Sequence, residues 1–372
     1  MLFGQWLSRL PIIIIALLPA LASAEPAQND KTTIVVDAGS SGSRLYFYQY
    51  IKDSSSGLPV IHSQKSVIQQ GGIQSLPSNN LAPYMDKLFS SFKGRAPDRI
   101  LFYSTAGMRL LSPGNRASIN KAITKYLSKA FPRSTIDVKT ISGQKEGIYG
   151  WLALNYLNEA FARGTPSEGV LDLGGASTEV TYECGGKDAV TMTINHQNRR
   201  VCSASFLGLG LTMAMAQFVN EPTCFPKGYP LPSGEKGTGN FTACADKIKP
   251  LVDKVHNVPA YINAHHMVDG VPSFVAISAY DYTAIELGID KAFSIKSLER
   301  QGQAFCSQQW HNLTSGSTRF KVTPYLFNTC FAAAFEKDLY THGYGLNTRN
   351  IPIKTASTIK GKKLNWALGA LL

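Results

Sequence analysis

Two apolar runs in this 372-residue chain end in the same way. The first is Val35-Val36-Asp37-Ala38-Gly39-Ser40-Ser41-Gly42-Ser43-Arg44. The second, 135 positions later, is Val170-Leu171-Asp172-Leu173-Gly174-Gly175-Ala176-Ser177-Thr178-Glu179. Each passes from a strand-like stretch into Asp, then Gly and Ser, then a second strand-like stretch, Leu45 to Tyr50 and Val180 to Tyr182. Elsewhere, helical spacing of apolar positions predicts helices over 81–92 and 119–131, the latter stopped by Pro132. A longer helix runs from an N-cap at Ser142 to about Ala162. Short strands are expected over 99–103, 136–141 and 271–277, a Pro/Gly/Lys-rich loop over 224–240, and helices over 325–341 and 364–372. The first half thus reads β-β, β, α, β, α, the order of an α/β lobe, and Val170 restarts the pattern.

The first 24 residues stand apart. Arg9, the short apolar stretch 12–18 and Ala22-Ser23-Ala24 fit a signal peptide with its cleavage site. The mature chain is then expected to start at Glu25, exported to the periplasm or secreted, with no stable membrane anchor. The remaining stretch of about 350 residues is long for one core and points to two lobes. Net charge is +12, or +11 without Arg9, with the basic residues scattered, a distribution that attracts polyanions. No dense basic run, RNA-binding aromatic motif or zinc-finger spacing occurs, which argues against nucleic acid as a partner. All six cysteines (184, 202, 224, 244, 306 and 330) lie in the second half, and an even count in an exported chain reads as disulfides. Sequence alone does not choose their pairing. Joining neighbours closes the smallest loops and is the expectation here. A monomer is expected.

Candidate chemistry starts from the two Gly/Ser turns. Backbone N–H groups in such a turn converge on an anion, glycine permits close approach, and serine hydroxyls add donors. Two related turns, each opening with a strand-terminal Asp, read as two phosphate cradles. Asp37 and Asp172 hold equivalent places and suit a pair that orients the water shell of a divalent cation, Mg²⁺ or Ca²⁺. Glu146, in Ser142-Gly143-Gln144-Lys145-Glu146-Gly147, falls in the first turn of a helix that is apolar nearly all round and therefore buried. A carboxylate there complements the helix dipole, or takes a proton from water attacking a terminal phosphate. Ser104-Thr105-Ala106-Gly107 follows a strand and offers a third set of phosphate contacts. Arg44 and Arg109 suit structural ion pairs, and Arg44 is kept as a phosphate candidate. His265-His266 has no carboxylate or cysteine at ligand spacing and reads as solvated.

With these residues in view, the chain resembles the ecto-apyrases, the ecto-nucleoside triphosphate diphosphohydrolases. Their five apyrase regions are matched in order by Asp37-Ala-Gly-Ser-Ser-Gly-Ser-Arg44, Ser104-Thr-Ala-Gly-Met-Arg-Leu110, Ser142-Gly-Gln-Lys-Glu-Gly-Ile-Tyr-Gly-Trp151 with Asn155-Tyr156-Leu157, Asp172-Leu-Gly-Gly-Ala-Ser-Thr178, and Trp366-Ala-Leu-Gly369. The resemblance implies two ribonuclease-H-like lobes of the actin/Hsp70/sugar-kinase superfold with the active site in the cleft between them. Lobe I would span 25–147 and be completed by 355–372, and lobe II would span 148–354. It implies hydrolysis of nucleoside tri- and diphosphates to the monophosphate by in-line attack of water, with no phosphoenzyme. By match, Glu146 is the catalytic base, and Ser177 and Glu179 stand beside the attacking water. Ser40, Ser41, Gly42, Ser43, Arg44, Thr105, Ala106, Gly174, Gly175, Ala176 and Ser177 contact phosphate. Asp37 and Asp172 hold the metal through water, and Tyr282 and Arg349 sandwich the nucleobase.

Two departures qualify the match. Many animal members have Gln where this chain has Glu179, and membrane-bound members have helices at both ends. Exopolyphosphatases show a Gly-Gly-Ser-Thr-Glu run like the one here, which makes exopolyphosphatase one alternative. A non-catalytic actin-like nucleotide binder is the other, and Glu146 argues against it because a pure binder needs no base.

Overall fold

Two mixed sheets with the same strand order organise the chain. The computed structural model describes residues 30–76, 80–265, 267–268 and 270–372. The expected signal segment and His266 lie outside them. In the first sheet, β1 (Lys31–Ala38), β2 (Gly42–Lys52) and β3 (Pro59–Gln70) form an antiparallel meander. β4 (Arg99–Ser104) and β5 (Thr135–Thr140) then add in parallel on the other side of β1, giving the order β3-β2-β1-β4-β5. The second sheet repeats this plan. β6 (Gly169–Leu173), β7 (Ser177–Glu183) and β9 (Gln197–Leu207) run antiparallel, and β10 (Phe274–Ser278) and β11 (Ile353–Thr355) extend it in parallel. One extra edge strand, β8 (Val190–Ile194), lies beyond β9, so the order is β11-β10-β6-β7-β9-β8. Two such sheets are the two ribonuclease-H-like lobes that the resemblance implies. A small hairpin, β12 (Thr358–Ile359) and β13 (Lys362–Lys363), follows.

Helices fill the connections. On the first sheet these are α1 (Leu81–Leu88), α2 (Ala106–Arg109) and α3 (Pro113–Ala130). Then come α4 (Gly143–Leu157) and α5 (Ala160–Arg163). The second sheet carries α6 (Leu211–Ala216), α7 (Phe241–Pro250), α8 (Val258–Ala264), α9 (Ala279–Glu286), α10 (Ile295–Cys306), α11 (Trp310–Thr314) and α12 (Thr329–Asp338). α13 (Trp366–Gly369) closes the chain. Ser142 caps α4 as expected, its hydroxyl accepting from Lys145 N–H at 3.2 Å. That helix stops earlier than its pattern predicts, because Glu159 takes a left-handed conformation (φ 63°) before α5 begins. The predicted C-terminal helix is only four residues long. The strands β3, β8 and β9 are absent from the sequence-based expectation, and β3 and β8 are largely exposed edges with weak apolar alternation.

Three apolar cores result. One lies under the first sheet, a larger one within the second, and a third joins them around Trp151, Leu154, Trp366 and Leu368, taking in Val35 and Leu101 from one sheet and Val170 and Val275 from the other. α4 and α13 build this middle core. Gly369 sits so close against the Tyr149 carbonyl that no side chain fits there. The expected lobe boundary at 147/148 falls inside α4. The cysteines pair as neighbours, Cys184–Cys202, Cys224–Cys244 and Cys306–Cys330. No helix among the described residues is long and apolar enough to cross a membrane.

Candidate active site

Both aspartate-terminated strands end at the same topological place, the turn between the first and second strand of a sheet. Strand pairing sets Asp37 opposite Arg44 and Asp172 opposite Glu179. In the first turn, Gly39 N–H donates to the Gly42 carbonyl at 2.9 Å. Gly42 is required, since a Cβ there would stand 2.6 Å from the Gln69 carbonyl oxygen. Gln74 Nε2 donates to the Ser40 carbonyl at 2.7 Å, and Ser41 is exposed. The Ser43 hydroxyl is fully buried and accepts from Tyr84 at 2.9 Å, which leaves it turned to the lobe core. The second turn is held from behind. The N–H groups of Gly208, Leu211 and Met213 donate to the carbonyls of Ala176, Gly174 and Gly175 at 2.8–3.0 Å.

The two turns meet. A Cβ on Gly175 would stand 2.7 Å from Ser40 Oγ, and one on Gly107 would stand 2.9 Å from Ser40 Cα. Thr105 and Ala106, both buried, therefore border the same place. β7 supplies the next layer through its alternation. Val180 and Tyr182 face the lobe core, while Ser177, Glu179 and Thr181 lie on the face toward α4. The glycines of α4 allow this approach: any side chain at Gly147 would collide with the hydroxyls of Thr181 and Ser203.

Arg109 ties the pieces together. Its Nη1 donates to Glu146 Oε2 at 2.8 Å and to the Ile141 carbonyl at 3.3 Å. Its Nη2 reaches Ser177 Oγ at 3.0 Å and Glu179 Oε1 at 3.5 Å. Glu179 Oε1 also accepts from Ser177 Oγ at 2.6 Å and Ser205 Oγ at 2.8 Å. Arg109 was expected as an ion-pair residue and is one, but its partner is the candidate base itself. Ser205, Ser278 and Trp366 also escaped the sequence-derived site set. Only Trp366 carried a signal, through the fifth matched region.

Electrostatics mark the same cluster. Burial, and then Glu179, push the Glu146 carboxyl well above its ordinary range against the pull of Arg109. Burial and Asp172 raise Glu179 to about 7, opposed by Arg109 and the two serine hydroxyls. Burial raises Asp37 to about 6, with Arg44, 3.6 Å away, opposing and Asp172 adding to the rise. Trp366 donates a side-chain hydrogen bond to Asp37. Burial also raises Asp172, which takes a hydrogen bond from Ser278. Ser278 holds φ 62°, a strained backbone for a non-glycine residue, at the end of β10. Four buried carboxylates thus face two arginines, a deficit of positive charge suited to a divalent cation. Among the described residues, no group of three or more His, Cys, Asp or Glu is arranged to hold an ion directly.

Tyr282, on α9, is 56% exposed and lies near enough to Arg44 and Tyr46 to influence both electrostatically. Arg349 Nη1 donates to the Gly345 carbonyl at 3.2 Å, and its Nη2 lies 3.5 Å from Asn263 Oδ1. His265 stacks on Tyr261, with centroids 4.1 Å apart, and hydrogen-bonds its carbonyl. A pocket of about 830 Å³ between the start of α10 and residues 346–353 contains none of the residues above.

The GDA1/CD39 (nucleoside phosphatase) family matches residues 23–223 and 229–372. Human ectonucleoside triphosphate diphosphohydrolase 3 is 26% identical over 419 aligned residues, covering 92% of this chain and 78% of that protein. A nucleoside triphosphate hydrolase structure from Neospora caninum superposes with a TM-score of 0.63 at 17% identity, covering 92% of both chains. A Ppx/GppA family structure from Aquifex aeolicus gives 0.54 at 14%, covering 92% of this chain and 96% of that one.

Proposed function

The chain belongs to the GDA1/CD39 nucleoside phosphatase family, and from that premise we propose that it hydrolyses nucleoside tri- and diphosphates to the monophosphate and inorganic phosphate. One observation carries the reading furthest. Glu146 stands in a buried ion pair with Arg109, and Arg109 in turn reaches Ser177 and Glu179 beside the second glycine turn. A holder of phosphate needs the turns alone, whereas a hydrolase also needs a proton acceptor next to them.

In this mechanism the first turn (Ser40, Ser41, Gly42 and Arg44), Thr105 and Ala106, and the second turn (Gly174, Gly175, Ala176 and Ser177) hold the phosphates, while Ser43, bonded to Tyr84, braces the first turn from the core side. Water attacks the terminal phosphorus in line. Its oxygen forms the new P–O bond as the anhydride bond to the leaving phosphate oxygen breaks, and Glu146 accepts its proton. Ser177 and Glu179 orient the water. Positioning and electrostatics supply most of the acceleration. Asp37 and Asp172 would hold a divalent cation through water, and that ion, when bound, adds positive charge against the polyphosphate and the carboxylates. Tyr282 and Arg349 flank the base. Three disulfides favour an oxidising compartment, periplasmic or extracellular.

Glu179 favours a second reading, an exopolyphosphatase, because a carboxylate there suits water activation without any base contact. Phosphate release from ATP, ADP, AMP and tripolyphosphate, with Mg²⁺, Ca²⁺ or EDTA, decides between them. Nucleotide cleavage that stops at AMP, needs the ion and falls about 10²–10⁴-fold in Glu146→Gln is expected. Full activity in that variant, or in EDTA, sinks the mechanism. Cleavage of tripolyphosphate alone favours the second reading. Tyr282→Ala is expected to raise KM for ATP while leaving that for tripolyphosphate unchanged.

A further inference from the structure

The strand β9 runs beneath α4 and sets two serines against β7. Ser205 lies opposite Glu179, and Ser203 lies opposite Thr181. Both face the helix that carries Glu146, and both lie under a glycine of it. A side chain at Gly143 would collide with Ser205 Oγ, just as one at Gly147 would collide with Thr181 and stand 2.6 Å from Ser203 Oγ. As packing surface the two serines are alike.

Their hydroxyls differ. Ser203 Oγ is 2.6 Å from Thr181 Oγ1, a pair of neutral groups. Ser205 Oγ donates at 2.8 Å to Glu179 Oε1, the same oxygen that accepts from Ser177 at 2.6 Å and faces Arg109 at 3.5 Å. Glu179 is almost wholly buried, so few alternative partners compete for that oxygen.

We propose that Ser205 is a positioning residue, whose hydroxyl fixes the Glu179 carboxylate so that Ser177 and Arg109 present a set geometry to the attacking water. The inference rests on the phosphatase reading above. Ser177 commits its proton to Glu179 and accepts from Arg109, and its oxygen keeps its orientation only while Glu179 is held from the far side. Ser205 provides that hold without touching substrate.

The neighbouring serine is the control. Ser205→Ala and Ser203→Ala remove the same atoms from beneath the same helix, and each leaves a Cβ for packing. In Ser205→Ala, kcat for ATP is expected to fall about 10- to 100-fold, the loss of one hydrogen bond to a charged group. KM should stay within about two-fold, as for an interaction made in the transition state. In Ser203→Ala both should stay within about two-fold, and both variants should melt within a few degrees of the parent. Equal losses in the two variants, a retained kcat in Ser205→Ala, a change in KM alone, or a melting point far lower for Ser205→Ala than for Ser203→Ala would each overturn the assignment. A parent enzyme that releases no phosphate from ATP or ADP would instead fail the phosphatase reading.

Discussion

The first and second glycine turns share a backbone plan and oppose each other in charge. Each links the first two strands of its sheet, and each opens on a buried Asp that takes side-chain hydrogen bonds, Asp37 from Trp366 and Arg44 and Asp172 from Ser278. The residue across from that Asp differs. It is Arg44 in the first turn and Glu179 in the second. Arg44 opposes the rise of the Asp37 carboxyl, whereas Asp172 adds to the rise of Glu179. The first turn therefore sets a guanidinium across from its Asp, whereas the second gathers carboxylates around the single guanidinium of Arg109. The two sheets share a frame, and one cross-strand position sets their turns apart.

Removing the guanidinium breaks this division most severely. Arg109→Met removes the charge that opposes the rise of Glu146 and Glu179, which favours their protonated forms and weakens the base. A fall in kcat of about 10²–10³-fold is expected, the scale of losing a preorganised charged donor. Its stability loss should be smaller than the roughly 3–5 kcal/mol of breaking a buried pair that stays charged, because protonation relieves the strain. Retention of kcat within a few-fold would mean Arg109 merely braces α2 against α4.

Glu179→Gln sharpens the comparison without destroying the site, and pH exposes it. The folded-state value of Glu179, about 7, lies above its ordinary 4.5. The folded chain then holds a proton that the unfolded chain has released between those values, so this group's contribution to stability declines as pH rises from about 4.5 to 7. In EDTA, the melting point of the parent should drop more from pH 5 to pH 7.5 than that of Glu179→Gln. Parallel melting curves would show that Glu179 is not raised.

How much of this was readable beforehand depended on whether the signal was local. The paired turns, the Ser142 cap and Glu146 in its helix all lie within a few residues of a recognisable pattern, and the disulfides follow the shortest loops. The strand orders fit the resemblance. Ser205 and Ser278 were invisible because each acts across strands on a residue 26 or 106 positions away. Arg109 looked like a structural cation because its partners, Glu146, Ser177 and Glu179, are brought to it only by α4 and the second sheet. Trp366 was noticed as part of a motif, but nothing in its surroundings in the chain points to Asp37. The extra edge strands lacked the alternation that betrays a buried face.

The smallest effect probes the contact between the two turns. Gly175→Ala puts a Cβ 2.7 Å from Ser40 Oγ and 3.2 Å from Thr212 Oγ1. Both atoms end short side chains that can rotate, so the turns separate slightly and the fold survives. KM for ATP is expected to rise a few-fold, with kcat less affected, because phosphate contacts come from both turns. Ser40→Gly removes the obstructing hydroxyl and also one phosphate donor, so alone it raises KM as well. Combined, the two changes should cost less than the sum of their separate effects, the coupling expected of residues in contact. Strict additivity in that double-mutant cycle would mean that Ser40 and Gly175 do not share a ligand site, and the two turns would then have to be read as separate features.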